Sequence, residues 1–496
     1  MDPKGEYVDH DAPLSDSTLK QKTAKGMLWG GVNNSVQLLL NLAFGIFLAR
    51  ILDDKDYGMV GMLTIFNMIA ISLQESGFTM ALINRPKIIH REYNAVFWFS
   101  ILMGLGCYLI LFFCAPFIAD FYHQPQLIPL SRLLFLGLIV SSTGTAHNAV
   151  LMKKLMVRQR SISQVCGLVI SGIVGVLLAI NGMAYWGIAL QSLTYIAVTN
   201  LFYWYFSPWN PTFHLDLTPL LSFLPFSIKL LVTKLLTQFN HDIVSVILGR
   251  FFNPAAVGSF TQAVKWNHMG LNLIDGMVVS VAQPVLKEVD NDNVRQKRVF
   301  RKMQRFVAFL SFPALFGLSL ISYEVIIIAI TEKWILSAQI LQILAIWGAF
   351  APLMHLYTHL IISRGKSGVF MWNSIAQGAV EITGMLLLYP LGLMAMVYFF
   401  AGINIFWLFI WRYFAGREIR ISLWEALRDL FPFFAMAAVT MLITHFYTTG
   451  IDNIYLRLVA KIGMAVVLYT GLVYISGAKI MRESITQLKI WIQKKK

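Results

Sequence analysis

Residues 227–288 read SIKLLVTKLLTQFNHDIVSVILGRFFNPAAVGSFTQAVKWNHMGLNLIDGMVVSVAQPVLKE. The pattern predicts two apolar helices joined by a short turn. Both carry charges: Lys229, Lys234 and Asp242 on the first, Lys265 and Asp275 on the second. A charge held at membrane depth is costly, so such residues face a bundle interior or a wet cavity. The stretch has an echo 200 positions earlier, where IFLAR-ILDDKDYG lies on VILGR-FFNPAAVG. Leu48 falls on Leu248, Arg50 on Arg250, Gly58 on Gly258, Asn67 on Asn267 and Glu75 on Asp275. One register kept over that length indicates an internal repeat, and internal repeats with intramembrane charges mark secondary transporters.

Hydrophobic residues make up 57% of the 496-residue chain and charged residues 13%. A soluble domain has roughly 25% charged residues, so the composition is that of a polytopic membrane protein. Fourteen candidate spans follow: 26–50, 58–84, 94–118, 133–152, 161–181, 183–206, 219–249, 255–286, 306–331, 337–362, 367–388, 391–411, 429–447 and 457–478. With the N-terminus in the cytoplasm, 30 of the 40 Lys and Arg residues fall on the cytoplasmic side, 7 on the other side or at the outer ends of spans, and 3 deeper within spans. That bias argues for an even number of spans with both termini cytoplasmic, and it explains the net charge of +15 without nucleic acid. The N-terminal stretch does not read as a signal peptide.

Spans 1–2 match spans 7–8, six spans later, so the repeat is parallel, with its axis along the membrane normal. The expected organisation is an N-terminal tail (1–25), a six-span lobe (26–206), a second six-span lobe (219–411), two further spans (429–478) and a basic tail (479–496). The tail places Met481, Ile485, Leu488 and Ile492 on one face and reads either as an amphipathic helix on the membrane or as a solvated terminus.

Several spans carry polar seams of helical period. Span 1 has Asn33, Gln37 and Asn41; span 2 has Asn67, Gln74 and Glu75. Span 7 has Lys234, Gln238, His241 and Asp242; span 8 has Gln262, Lys265, His268, Asn272 and Asp275; span 11 has Asn373, Gln377 and Glu381. The amides taken singly read as interhelical hydrogen bonds. The charged members read as partners of groups on other helices or of a ligand. Glu324 lies nearer the outer end of span 9, in reach of the interface. His355 and His359 have a metal-ligand spacing but read as a packed or lumen-facing pair. Arg50 and Arg250 end repeat-related helices; interfacial snorkelling and a gate or phosphate contact both stand. Cys107, Cys114 and Cys166 lie in apolar runs and offer no CxxC pair. With no nucleotide-binding loop, no cofactor or metal is expected, and transport would draw on a gradient or a partner.

The opening KGMLWGGVNNSVQLLLNLAFGIFLARILDDKDYGMVGMLTIFNMIAISLQESGFTMALINR resembles the start of bacterial polysaccharide exporters of the Wzx type. The shared features are LAR-x-L at 48–52, YG at 57–58 and the GxxxALI-like run from Gly77. A second match is DIVSVILGRFFNPAAVGSFTQAVK at 242–265. These exporters belong to the multidrug/oligosaccharidyl-lipid/polysaccharide flippase superfamily, and the chain is most similar to their colanic-acid and teichuronic-acid branch. The resemblance implies an all-α membrane protein with two pseudo-symmetric six-helix lobes around a central cavity and two extra C-terminal helices. It implies a flippase, not an enzyme, in the bacterial inner membrane. Its substrate would be an undecaprenyl-diphosphate-linked oligosaccharide, and its partners membrane lipids and polysaccharide polymerase or assembly proteins.

Under that reading a cationic cavity replaces the phosphate hydration, with Lys229, Lys234 and Lys265 as candidates. Asn33, Gln37, Gln238, Gln262, Asn272 and Gln377 would hydrogen-bond sugar, and Trp266 would stack on it. Glu75, Asp242, Asp275 and Glu381 would bind a coupling proton or cation. These assignments rest on this sequence alone. A cation-coupled multidrug exporter and a peptidoglycan-precursor flippase are alternatives in the same superfamily. A membrane glycosyltransferase or polymerase is the alternative of another class; it would want a large carboxylate-bearing loop, and the sequence has none.

Overall fold

The computed structural model describes residues 16–476 except 76–77, 79–81, 83–87, 223 and 290–291. Further side chains in the first helix and between 221 and 285 also lie outside the description, among them those of Lys229, Lys234 and His241. Gly77 and the basic tail (479–496) lie outside it too. Fifteen α-helices are described. They are α1 (Asp16–Ile51), α2 (Asp54–Glu75), α3 (His90–Tyr122), α4 (Leu127–Lys153), α5 (Val157–Ile180), α6 (Ala184–Phe206), α7 (Leu224–Phe251) and α8 (Pro254–Glu288). They continue as α9 (Asn293–Ile330), α10 (Ile335–Gly348), α11 (Ala351–Ser363), α12 (Ser367–Leu388), α13 (Leu393–Ile419), α14 (Leu423–Thr448) and α15 (Ile454–Ile475). Ten described helices are long and apolar enough to cross a membrane, and α10 with α11 forms an eleventh, broken span. The protein is an all-helical, multi-pass membrane protein. The expected single span 337–362 is two helices bent by 40°. The break falls where Gly348 ends α10 and Pro352 opens the first turn of α11, the helix position a proline tolerates.

The chain divides into two compact units, 1–258 and 259–496. In the first, α3 packs on α4, α5 on α6, α4 on α6, α1 on α5, and α2 on α7. Small residues let these helices approach, as is common between membrane helices. A Cβ on Gly104 of α3 would sit 2.9 Å from the Leu138 carbonyl, and one on Gly167 of α5 would overlap the Thr199 hydroxyl. The loop after α6 is tied to α3: the Asn94 amide donates to His214 O (2.6 Å) and accepts from the Thr212 amide (2.9 Å). Trp98 Nε1 donates to Thr212 O at 2.8 Å. Arg91 pairs with Asp216, and that hydrogen bond, followed by those of Thr218, holds the Asp216 carboxyl well below the usual carboxylate range. The tie is therefore intact at neutral pH and is lost only as pH falls through that lowered value.

The second unit is built on α9, a helix of 38 residues and so about 57 Å long. Its core joins Ile274, Val278 and Leu286 of α8 to Phe300, Phe312 and Leu315 of α9, Leu353 and Tyr357 of α11, Trp411 of α13 and Phe433 of α14. Tyr469 of α15 donates to Phe309 O at 3.0 Å. The basic first turns of α9 are stapled to the start of α14. Arg301 binds Asp429 through Nε (2.6 Å) and a terminal nitrogen (3.0 Å), while Lys297 binds Glu425 at 2.8 Å. Ser422 caps α14 in a reciprocal capping box with Glu425.

The two glycines aligned by the sequence repeat meet in a reciprocal contact within the first unit. A Cβ on Gly58 would lie 1.7 Å from the Pro254 carbonyl oxygen, and one on Gly258 would lie 1.8 Å from the Asp54 carbonyl oxygen. Pro254 and Asp54 are themselves 200 positions apart, so the contact has the i-to-j, j-to-i form of a local twofold. Any side chain at either glycine must push backbone aside, and overpacking of this kind costs about 1–3 kcal/mol or more. Gly58→Val is expected to lower the thermal midpoint of the detergent-purified protein or to abolish its accumulation. Gly106→Ala, whose methyl meets nothing within 4 Å, is expected to change neither. Indistinguishable melting of the two variants would remove the contact from this account.

Candidate functional site

The predicted site residues fall on both units and are described unit by unit. In the first, α1 and α5 share a cluster of three amides. Asn33 Nδ2 donates to Gln164 Oε1 (3.1 Å), and Gln37 Nε2 donates to Asn33 Oδ1 (2.9 Å) and Gln164 Oε1 (3.1 Å). Gln164 had no place in the sequence reading; its signal was a lone amide in the polar first turns of span 5. Asn41 donates back to Gln37 O and stays on its own helix. On α7, Gln238 hydrogen-bonds Asp242 one turn along. Glu75 ends α2 half-buried, with a polar partner. Arg250 donates to the carbonyl of Phe121, in the last turn of α3, and to Nε2 of His123, which follows that helix, and lies over the Phe121 ring at 5.2 Å. Arg50 is exposed.

In the second unit, Lys265 is half-buried on α8. Among the described residues no hydrogen bond or ion pair engages it. One turn earlier Gln262 is 2% exposed, and its Nε2 has no partner among the described residues. Trp266 is half-buried and Asn272 exposed. Helical spacing puts Lys265, His268, Asn272 and Asp275 on one side of α8. Asp275 meets α11, where His355 Nδ1 lies 3.0 Å from its carboxylate oxygens. His359, one turn further along α11, has a buried Nδ1 without a partner among the described residues. Asp275 thus stands beside the histidine pair, but no group of three metal-ligating side chains occurs among the described residues.

Glu381 is 2% exposed between α12 and α13. Its described neighbours are neutral: Gln377 Nε2 is 3.3 Å from Oε1 and also donates to Asn404 Oδ1 at 2.8 Å. Trp411 Nε1 donates to Gln377 Oε1 (3.3 Å) and Trp407 Nε1 to Asn373 Oδ1 (3.0 Å). Amide, indole and carboxyl groups thus form one buried seam.

Glu324, near the outer end of α9, is 1% exposed, with Lys461 Nζ 2.7 Å and Arg457 Nε 2.8 Å from Oε1. Sequence position could not reveal the pairing, because Lys461 lies 137 residues away on another helix.

The fold is shared with transporters of the multidrug/oligosaccharidyl-lipid/polysaccharide superfamily. The structure titled "Lipid II flippase MurJ, inward closed conformation" matches with a TM-score of 0.75 over 92% of this chain and 100% of that one, at 12% identity. An inward-facing multidrug resistance MATE family transporter matches with a TM-score of 0.62 over 77% and 94%, at 16% identity. The model of the polysaccharide biosynthesis protein family matches residues 47–339, more than half the chain, and the chain belongs to that family. Among its relatives are the teichuronic acid biosynthesis protein TuaB of Bacillus subtilis, 27% identical over 70% of each chain, and the lipopolysaccharide biosynthesis protein WzxC of Escherichia coli, 22% identical over 72% of this chain and 73% of that one. The architecture is one that these transporters share.

Partnered and unpartnered cations should behave differently. Arg301→Met removes both hydrogen bonds to the buried Asp429 carboxylate and leaves it only Arg305, 3.8 Å away, and is expected to destabilise the protein by about 2 kcal/mol. Lys265→Met removes a cation with no described partner and should leave the thermal midpoint unchanged or raised. A marked drop for Lys265→Met would mean that the lysine is a structural group.

Proposed function

We propose that this protein is a flippase that moves an undecaprenyl-diphosphate-linked oligosaccharide across the bacterial cytoplasmic membrane, from the inner to the outer leaflet, by alternating access. The observation that carries the proposal is Lys265, an ammonium within an apolar helix that no described group neutralises. A diphosphate is an anion that meets that need, and a lipid-linked sugar fits a member of a polysaccharide biosynthesis family with a transporter fold. Lys229 and Lys234 join it on the strength of the sequence. Gln262, with an unused donor, and exposed Asn272 suit a sugar hydroxyl, and Trp266 offers a ring to stack on. Asn33, Gln37, Gln238 and Gln377 serve the same hydrogen-bonding role on their own helices.

Glu381 is the preferred coupling group, since its described surroundings supply amides and no cation. Asp275, tied to His355, is the second; Glu75 and Asp242 complete the set. The Lys and Arg bias supports a topology with both termini in the cytoplasm. A peptidoglycan-precursor flippase shares the diphosphate chemistry and would differ in the sugar. A multidrug exporter of cationic drugs is disfavoured by an unneutralised lysine.

Lys234→Ala combined with Lys265→Ala is expected to abolish export while the protein remains in the membrane. Lipid-linked oligosaccharide should then accumulate on the inner leaflet, measured by its accessibility to a modifying enzyme in oriented vesicles. Normal export by a well-accumulated double variant would refute the role of the lysines. Absence of the lipid-linked precursor after gene deletion would instead favour an enzyme that makes it.

A further inference from the structure

The ion cluster at Glu324 lies against an open pocket of about 380 Å³ formed by the ends of α9 and α14, the start of α15, and α10. Its lining includes Ser322, Glu324, Gln342, His445, Arg457 and Lys461. The transport reading uses none of these groups.

The charges do not balance. Lys461, 5% exposed, gives its Nζ to Glu324 Oε1 and to Leu320 O at 2.9 Å. Arg457 reaches the same carboxylate oxygen through Nε. One carboxylate therefore answers two cations. The terminal amino groups of Arg457 have no hydrogen-bond partner among the described residues, and its guanidinium lies over the Tyr323 ring at 5.7 Å. An idle planar fork beside a lysine matches a phosphate, which it can bind through two parallel hydrogen bonds. A second observation also points to a ligand. Glu324 Oε2 is buried and has no partner among the described residues, so it is an acceptor in want of a donor. A phosphate ester that carries hydroxyls supplies both halves: anion to Arg457 and Lys461, hydroxyl to Glu324.

The surroundings fix the depth. Phe446, Tyr447 and Tyr455, on the helix turns beside the pocket, are 79%, 69% and 63% exposed. Leu442 and Val459, further along α14 and α15, are 70% and 67% exposed. Aromatic side chains gather where hydrocarbon meets headgroups, with aliphatic ones toward the hydrocarbon.

We infer that this pocket is a binding site for a hydroxylated phosphate ester of the phosphoglycerol type, held by Arg457 and Lys461 with Glu324 as the hydroxyl acceptor. A phospholipid headgroup and a free phosphoglycerol share that chemistry. The full-length protein, purified in a neutral detergent, is titrated with phosphatidylglycerol against a phosphatidylcholine background, and retained lipid is counted by native mass spectrometry. The intact protein should retain phosphatidylglycerol selectively. Arg457→Gln should weaken retention about tenfold, the effect of one charge-assisted hydrogen bond. Glu324→Gln should strengthen it, because it frees both cations from the competing carboxylate. Loss of a structural cluster would instead weaken retention in both variants, so the opposite signs are the signature of the site. Unchanged retention in Arg457→Gln, or no gain in Glu324→Gln, overturns the inference. If Arg457→Gln does not accumulate, the sign for Glu324→Gln decides alone. Displacement of the lipid by millimolar glycerol 3-phosphate would support the site with a soluble ester as its source; resistance to displacement would assign it to the membrane lipid.

Discussion

Hydrocarbon gives an ionised side chain no solvation, and the helices of this chain are arranged around that fact. Each buried ion must find a counter-charge, a set of dipoles, a proton or a cargo. Glu324 takes the first route, held by two cations from α15. Asp429 takes it too, against Arg301 at the basic end of α9. Glu381 takes the second route, among the amides of Gln377 and Asn404. Lys265 stands apart, with no described group to answer it. Buried ion pairs contribute little net stability but are damaging to break, so they fix which helix lies beside which. An unanswered cation has no such structural use.

The amides extend the same logic to neutral groups. Asn33, Gln37 and Gln164 join α1 to α5, while Asn373, Gln377 and Asn404 join α12 to α13 with two indoles. Each amide both donates and accepts, so a small cluster can close on itself and still open to a sugar hydroxyl, which donates and accepts as well. Packing and recognition thus draw on one type of group, and the amides alone do not separate them.

Much of this was legible in the sequence. Apolar run lengths marked out the long helices, of which ten, or eleven with the bent pair, are long and apolar enough to cross a membrane among the described residues, and the register of 200 aligned Gly58 with Gly258, which the fold brings into contact. The polar seams were visible as four-residue steps because helical period puts them on one face. The pairings were less accessible. Asp275 and His355 are 80 residues apart, Asn33 and Gln164 are 131 apart, and a single sequence carries no sign of which helices are neighbours. The break between α10 and α11 escaped because hydropathy runs evenly through it; Pro352 was its only mark. The partners of Glu324 escaped for the same reason: its burial comes from α15, 137 residues further along the chain.

The contact between Gly58 and Gly258 has an evolutionary corollary. Once a gene has doubled, its halves are free to diverge wherever each faces different surroundings. Here the two glycines are each other's surroundings: the carbonyl of Pro254 fills the space where Gly58 would grow a side chain, and that of Asp54 does the same for Gly258. Neither position can enlarge while the other stays put, so a doubling behind the 200-residue register would leave its trace at this contact.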